Sequence, residues 1–208
     1  MKKVVIIDYG SGNIKSVLNS LEKIKENHKI IISKNPNEIK SADLLILPGV
    51  GAFADCMAGL KSVSGLLEEI KQQVLVEKKP FVGICVGMQV LASIGYEDGE
   101  HEGLGFIKGE VKKIIASETI KVPHMGWNEL VVKDENHKIL QGVKSGDHLY
   151  FANSYHFKCA DKNQELAFVE YGSNICAIVA KYNIIGLQFH PEKSGETGLK
   201  ILKNFLSF

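Results

Sequence analysis

The chain has 208 residues, 45% of them hydrophobic and 24% charged, which is the composition of an ordinary globular protein. A formal net charge of +1 leaves no basic surface that would attract nucleic acid. The first apolar run ends at Asp8, too early for an export signal, and no run approaches the roughly 18 residues of a membrane span. The sequence therefore predicts a cytoplasmic protein that binds neither nucleic acid nor membranes.

The cysteines are spaced in a way that argues against metal binding and against disulfide bonds. Cys56, Cys85, Cys159 and Cys176 form no CxxC pair and lie at no close spacing to histidine. A chain of this length also buries enough surface to fold without a disulfide or a structural metal. We expect no metal site and no cofactor.

The first half of the chain alternates strand patterns with helix patterns. Val4 to Ile7 form a continuous apolar run, as in a strand buried on both faces, followed by a turn at residues 9–12. The predicted strands lie at residues 4–7, 30–32, 44–47 and 81–85, and the predicted helices at residues 14–24, 66–74 and 87–91. This alternation predicts a parallel sheet covered by helices.

The second half is dominated by strand patterns and ends in a helix. The predicted strands lie at residues 111–115, 130–132, 149–152, 167–170, 175–180 and 184–189, and the final helix at residues 199–206. No Pro- or Ser-rich linker separates the halves. We therefore expect one domain, residues 1–208, with an antiparallel extension.

The sharpest chemical feature is Cys85, which lies between Gly83 and Gly87 at the end of an apolar strand. This is a nucleophile elbow with cysteine in place of serine. The glycines allow a sharp turn, and the start of a helix favours the nucleophilic thiolate. The competing interpretation is that Cys85 is a small core residue, as most lone cysteines are.

A cysteine nucleophile needs a base, and the base needs an orienting partner. His190 directly follows the last predicted strand, so its side chain can reach the carboxyl edge of the sheet. Glu192 comes two residues later, after Pro191, and is near enough to hold one imidazole nitrogen. A lone histidine at a strand end is more often structural, but the neighbouring acid favours a catalytic pair.

The two motifs together, GICVGMQ and GLQFHPEKS, strongly resemble those of the class I glutamine amidotransferases, and the resemblance covers essentially the whole chain. It implies a three-layer, flavodoxin-like α/β fold with a mixed, mostly parallel central sheet. It also implies a catalytic triad of Cys85, His190 and Glu192. Gln89 matches the residue that holds the amino-acid end of the substrate, L-glutamine.

Three further segments, IDYGSGN, PGVGAF and PHMGWN, are similar to those of the glutaminase subunits of imidazole glycerol phosphate synthase, an enzyme of histidine biosynthesis. The resemblance implies a heterodimer with a (β/α)₈ cyclase subunit. That partner would receive ammonia and make imidazole glycerol phosphate and aminoimidazole carboxamide ribonucleotide.

The same resemblance assigns further residues. The PGVG loop implies an oxyanion hole built from Gly49, Val50 and Val86, in which the Gly49–Val50 amide turns over before it donates. We expect glycine at 49 because it tolerates unusual dihedral angles. The implied substrate contacts are Gly51, Gln89, Glu97, Ser154 and Tyr155. The implied partner contacts are Asn13, Trp127 and Asn128.

Two other functions stay open on the sequence alone. A paralogous glutaminase that feeds another synthase, such as one that amidates a surface sugar, would carry the same triad. A non-catalytic scaffold of the same fold would not need the intact triad and Gln89 that are present here. Relative to the family, Val86 replaces a commoner leucine, Asn153 stands where histidine is frequent, and Ala52 where a larger residue is frequent. These departures loosen the assignment of the partner.

Overall fold

The apolar runs of the first half form the centre of the main sheet. The computed structural model describes residues 1–10 and 13–208, so Ser11 and Gly12 of the expected turn lie outside the described residues. The strands are β1 (Lys2–Ile7), β2 (His28–Ser33), β3 (Leu44–Gly49), β4 (Phe81–Cys85), β5 (Ile94–Gly95), β6 (His101–Glu102), β7 (Gly109–Lys113), β8 (His124–Glu129), β9 (Val131–Val132), β10 (His148–Asn153), β11 (Tyr155–Cys159), β12 (Glu165–Glu170), β13 (Asn174–Lys181) and β14 (Ile184–Leu187). The α-helices are α1 (Ile14–Glu22), α2 (Pro36–Lys40), α3 (Phe53–Ser62), α4 (Leu66–Lys71), α5 (Val86–Gln89) and α6 (Gly195–Leu206).

The main sheet is mixed, and its strand order is β2-β1-β3-β4-β14-β13-β12-β9. The strands from β2 to β14 run parallel to one another. The remaining strands add to the β14 edge in antiparallel order. Strands from both halves of the chain therefore share one sheet, and the predicted class, α/β with a mostly parallel sheet and an antiparallel extension, is confirmed.

Helices cover both faces of this sheet. The chain leaves β1 towards β2 on one side and returns to β3 and β4 on the other, so right-handed crossovers place α1 and the later helices on opposite faces. In agreement, α1 contacts α6, whereas α2 and α3 contact α4. The central strands are buried on both faces, which explains their continuous apolar sequences.

Two smaller sheets complete the fold. The strands β8 and β10 form an antiparallel ribbon, and the other sheet has the order β11-β7-β5-β6. The segments that lead out of β5 and β10 reach the carboxyl edge of the main sheet, where Glu97 and Ser154 line one side of a cavity. These small sheets position one wall of the candidate site.

Several elements differ from the sequence prediction. The helices α2 and α3 and the strands β8 and β11 were not expected, and β3 continues through Pro48 and Gly49. The predicted helix at 66–74 ends at Lys71 and continues as a π-helical turn, Gln72–Val76. In β8 buried and more exposed residues alternate, so it lacks the continuous apolar run that revealed the central strands. Within the described parts of the chain, no helix is both long enough and apolar enough to traverse a lipid bilayer.

Candidate active site

Cys85 occupies a strained turn at the carboxyl end of β4. Its backbone has φ 55° and ψ −111°, a left-handed conformation that a non-glycine residue rarely adopts. A Cβ on Gly83 would lie 2.2 Å from the Gly87 carbonyl oxygen, and one on Gly87 would lie 1.9 Å from the Leu47 carbonyl oxygen. Both glycines are therefore required by close backbone packing, which holds Cys85 at the top of the sheet.

The helix after this turn is shorter than expected. The sequence predicted a helix at residues 87–91, whereas α5 covers only Val86–Gln89. A single turn has few aligned peptide dipoles, so its effect on the Cys85 sulfur is local to its first N–H groups. The other three cysteines are also buried free thiols. Burial raises the pKa of each of them, Cys56, Cys159 and Cys176, and so keeps them protonated.

His190 is fixed by hydrogen bonds of its own backbone. Its N–H donates to the Tyr150 carbonyl at 2.9 Å, and its carbonyl accepts from the Ser194 hydroxyl at 2.6 Å. The Ser194 hydroxyl in turn accepts from the Tyr150 N–H at 2.9 Å. These bonds connect the segment after β14 to β10 and orient the ring towards Cys85.

The imidazole ring of His190 lies between an acid and a thiol. Its Nδ1 is 2.9 Å from the Glu192 Oε1, and both side chains are almost fully buried. Burial lowers the pKa of His190, but hydrogen bonds with Cys85 and Glu192 outweigh this effect and raise it to about 9. The structure thus brings together the three residues of the expected triad, and both neighbours of the ring favour its protonated form.

Asn13 lies beside this triad. Its Nδ2 donates to the Glu192 Oε1 at 3.2 Å, and its side chain makes no capping hydrogen bond to α1, although it precedes that helix. The resemblance had assigned Asn13 to a partner surface. The amide is half-buried and helps to hold the carboxylate beside His190, and the partner contact of Asn13 stays a prediction.

The PGVG loop packs directly against the turn that carries Cys85. Gly49 pairs with Cys85 in the register of β3 and β4. A Cβ at residue 49 would lie 2.6 Å from the Gly87 nitrogen and 2.9 Å from the Val86 Cβ. In this structure Gly49 has no left-handed φ, whereas Gly51 has φ +93°, so glycine is needed at 49 for space and at 51 for backbone conformation. The dihedral freedom expected of Gly49 when its amide turns over stays a prediction.

A cavity of about 340 Å³ opens above Cys85 and His190. Most of the predicted site residues line it, namely Val50, Gly51, Cys85, Val86, Gln89, Glu97, Ser154, Tyr155 and His190. Sequence analysis did not assign five further lining residues, Pro123, Met125, Ala152, Asn153 and Lys193. Pro123 and Met125 flank His124 in the PHMGWN segment and Lys193 follows the triad acid, so their motifs were the only signal that could have found them.

Glu97 is held in place at the cavity wall. Its Oε2 accepts from the Phe53 N–H at 2.7 Å, at the first turn of α3. Gln89 is also fixed, because its Nε2 donates to the Tyr155 carbonyl at 3.0 Å. The cavity thus presents a preformed set of polar groups, including one carboxylate. Among the residues that the structure describes, no three His, Cys, Asp or Glu side chains converge as metal ligands.

The β8 ribbon presents an apolar patch near the cavity mouth. Met125 is 65% exposed and Trp127 is 57% exposed. The indole of Trp127 stacks edge-on against the ring of Tyr150, with centroids 6.0 Å apart. Asn128, by contrast, points inward and donates through Nδ2 to His124 Nε2 and to the Glu170 carbonyl, each at 3.2 Å. Of the three residues assigned to a partner surface, only Trp127 is largely exposed.

This fold and this arrangement of residues define the class. The chain belongs to the class-I glutamine amidotransferases, since the family model described as glutamine amidotransferase class-I matches residues 5–207. It is 45% identical to the protein named imidazole glycerol phosphate synthase subunit HisH of Rhodospirillum rubrum, and the match covers 98% of each chain. It is 46% identical to the HisH subunit of Pelagibacter ubique, over 98% of this chain and 99% of that one. It is also 46% identical to subunit HisH 1 of Campylobacter jejuni, over 97% of this chain and 98% of that one.

Solved structures share the fold at lower sequence identity. The structure of PurLQS from Thermotoga maritima superposes with a TM-score of 0.74 and 20% identity, covering 100% of this chain and 99% of that one. A crystal structure described as a glutamine amidotransferase superposes with a TM-score of 0.74 and 18% identity, covering 99% of each chain. At this identity the likeness concerns the fold alone.

Proposed function

We propose that the chain is the glutaminase subunit of an imidazole glycerol phosphate synthase, which hydrolyses L-glutamine and passes ammonia to a cyclase subunit. The observation that carries the proposal is the position of His190, held between the Cys85 thiol and the Glu192 carboxylate at the floor of a polar cavity. The full-length similarity to HisH subunits supports the choice of synthase.

In the proposed mechanism the Cys85 thiolate attacks the side-chain amide carbon of glutamine. The imidazolium of His190 then gives its proton to the departing ammonia, which leaves a γ-glutamyl thioester. His190 next takes a proton from water, which attacks the thioester and releases glutamate and the thiolate. Glu192 orients the ring and stabilises its charged form, as the acid of a Ser-His-Asp triad does.

Backbone N–H groups would stabilise the oxyanion of each tetrahedral intermediate. The N–H of Val86 directly follows the nucleophile, and the N–H of Val50 would be the second donor once the Gly49–Val50 amide turns over. The tight packing of Gly49 on Val86 supports this assignment, because the two donors directly follow the ends of the neighbouring strands β3 and β4. Each donor acts only when negative charge develops on the substrate oxygen, so it raises kcat and has little effect on substrate binding.

The remaining predicted residues would bind the substrate. Gln89 and Glu97 are fixed in the cavity wall, and a carboxylate at 97 suits the α-ammonium group of glutamine. Gly51, Ser154 and Tyr155 line the same space. The proposed substrate thus lies with its amide beside Cys85 and its charged end towards β5.

The proposed partner is a (β/α)₈ cyclase subunit that docks on the Trp127 side of the cavity. Ammonia released into solvent is lost to the synthase, so the product must leave through a covered opening. An exposed tryptophan is a suitable anchor for such an interface. Residues 1–208 would act as one domain, since strands of both halves share the main sheet. The proposed location is the cytoplasm, where four thiols remain reduced.

The experiment measures glutamate release by the chain alone, with the cyclase subunit, and with the cyclase and its nucleotide ligand. We expect stimulation of at least about 10²-fold in kcat, the effect of one oxyanion donor. Cys85→Ala should abolish release, while the matched variant Cys176→Ala, at another buried thiol, should retain it. Rapid hydrolysis by the chain alone, unchanged by the cyclase, would contradict the gated oxyanion hole. Release without imidazole glycerol phosphate formation would assign the chain to another synthase.

A further inference from the structure

Gln188 is a fully buried amide that directly contacts the proposed nucleophile. It lies between the end of β14 and His190, and its side chain is inaccessible to solvent. Its Oε1 accepts from the Gln89 Nε2 at 3.1 Å, and its Nε2 lies 3.9 Å from the Cys85 Sγ, at the long end for an N–H donor and sulfur. The oxygen of this amide therefore contacts Gln89, which lines the cavity, and its nitrogen contacts the thiol.

The direction of these hydrogen bonds is fixed by a backbone carbonyl. The Tyr155 carbonyl can only accept, and it lies 3.0 Å from one end of the Gln89 amide, which must therefore be the NH₂ group. That NH₂ group also faces Gln188, so the near atom of Gln188 must be its oxygen. The NH₂ group of Gln188 consequently points to Cys85. Reversing Gln188 would set two donors against each other, and reversing Gln89 would set its oxygen against two acceptors.

We propose that Gln188 is a positioning residue for the reaction, which holds the Cys85 sulfur as a thiolate and couples it to Gln89. The inference rests on the proposed function, in which Cys85 is the nucleophile. A donated hydrogen bond stabilises the thiolate more than the thiol, because hydrogen bonds to a charged acceptor are the stronger ones. In addition, Gln89 lines the cavity and bonds to Gln188. A movement of Gln89 on substrate binding would therefore reach the Cys85 sulfur through the Gln188 side chain.

The competing explanation is that Gln188 only fills space in a polar core. The two explanations differ in their effect on the sulfur. If Gln188 only fills space, its loss lowers stability alone, and a replacement of the same shape keeps the wild-type behaviour. A donor affects the reactivity of Cys85 and its dependence on pH, and the isosteric acid Gln188→Glu does not restore it because it places an acceptor against the sulfur.

The experiment measures alkylation of Cys85 by iodoacetamide between pH 5 and 10 in the isolated full chain, with mass spectrometry to identify the modified residue. We expect alkylation of Gln188→Leu at pH 7 to be about tenfold slower than in the wild type, with the profile displaced to higher pH. Gln188→Glu should react at least as slowly. Gln73→Leu is the matched control, since Gln73 is a buried amide that bonds Glu69 far from the site. It should react like the wild type.

Thermal unfolding of each variant shows whether it is folded, and if the leucine variant fails to fold, Gln188→Glu decides the question alone. A folded Gln188 variant with the wild-type alkylation profile would overturn the proposal. In the complex with the cyclase, a raised KM for glutamine at unchanged kcat would also overturn it, because the effect would then lie in substrate binding. If the wild-type complex hydrolyses no glutamine, the proposed function fails, while the alkylation profile still decides whether Gln188 acts on the sulfur.

Discussion

Replacing Cys85 by alanine removes one of the two groups that hold His190 as a cation and leaves the ring buried. In the wild type, burial opposes protonation, and hydrogen bonds with Cys85 and Glu192 raise the pKa of His190 to about 9. Without the thiol, burial remains and only the carboxylate opposes it. We expect the His190 pKa to fall by about 1–3 pH units in Cys85→Ala, the usual effect of losing one adjacent opposite charge.

The same change alters how stability depends on pH. Because the folded-state pKa lies above the ordinary value of 6.5, folding favours the protonated ring. This stabilisation is complete below pH 6.5 and is lost as the pH rises through about 9. The difference between these two pKa values corresponds to at most about 3 kcal/mol of folding stability in the wild type. Cys85→Ala should therefore lose much less stability than the wild type between pH 6.5 and 9.

The assay is a titration of the histidine ring carbons by NMR in the isolated chain, with His190 assigned by its absence from His190→Gln. Chemical denaturation at several pH values provides the stability comparison. An unchanged titration midpoint of His190 in Cys85→Ala would show that the Cys85 side chain does not stabilise the imidazolium, and its assigned contribution to the raised pKa of His190 would be wrong. His124 serves as an internal control, because burial alone lowers its pKa, to about 4, and it should titrate identically in both proteins.

Three further predictions concern neighbouring positions. Asn13→Ala should slow Cys85 alkylation severalfold in the isolated chain, since it removes a hydrogen bond to Glu192; an unchanged rate would show that this bond does not support the site. Gly49→Ala should abolish glutaminase activity, because the new Cβ would collide with the Gly87 backbone. Gly51→Ala should still fold, with a free energy of unfolding about 1–2 kcal/mol lower in chemical denaturation. Trp127→Ala should weaken cyclase binding by at least about tenfold in calorimetry without changing alkylation; equal affinity would move the interface elsewhere.

The central strands could be predicted from sequence because they are buried on both faces and therefore read as continuous apolar runs. The strand β8 could not, because its residues alternate between less and more exposed positions and its one buried residue is the polar His124. The ring of His124 stacks against Phe151 and Tyr171, with centroids 4.8 and 3.9 Å away. Such packing of a polar residue depends on which strands pair, and the sequence around His124 does not predict that pairing.

The proximity of the expected triad residues was predictable because the two strands that precede them, β4 and β14, run parallel and end at one edge of the sheet. The hydrogen bonds that support them were not. Asn13 precedes a helix, where an asparagine usually caps, and only the structure shows its amide on Glu192 instead. Gln188 stood inside a motif but had no assigned role, since its contact with Cys85 requires two side chains 103 positions apart to meet.

The packing at the carboxyl edge also limits how the proposed oxyanion loop, residues 48–51, can move. The turn after Cys85 rests on β3, where a Cβ on Gly87 would meet the Leu47 carbonyl and a Cβ on Gly49 would meet the Gly87 nitrogen. A large movement of residue 49 would therefore push the turn that carries the nucleophile. Rotation of the Gly49–Val50 amide must instead be absorbed on its far side, where Gly51 has a left-handed φ and open space around it. The loop is thus tightly packed at Gly49 and has space at Gly51, so we expect a partner that contacts Gly51 to reorient the proposed donor without displacing Cys85.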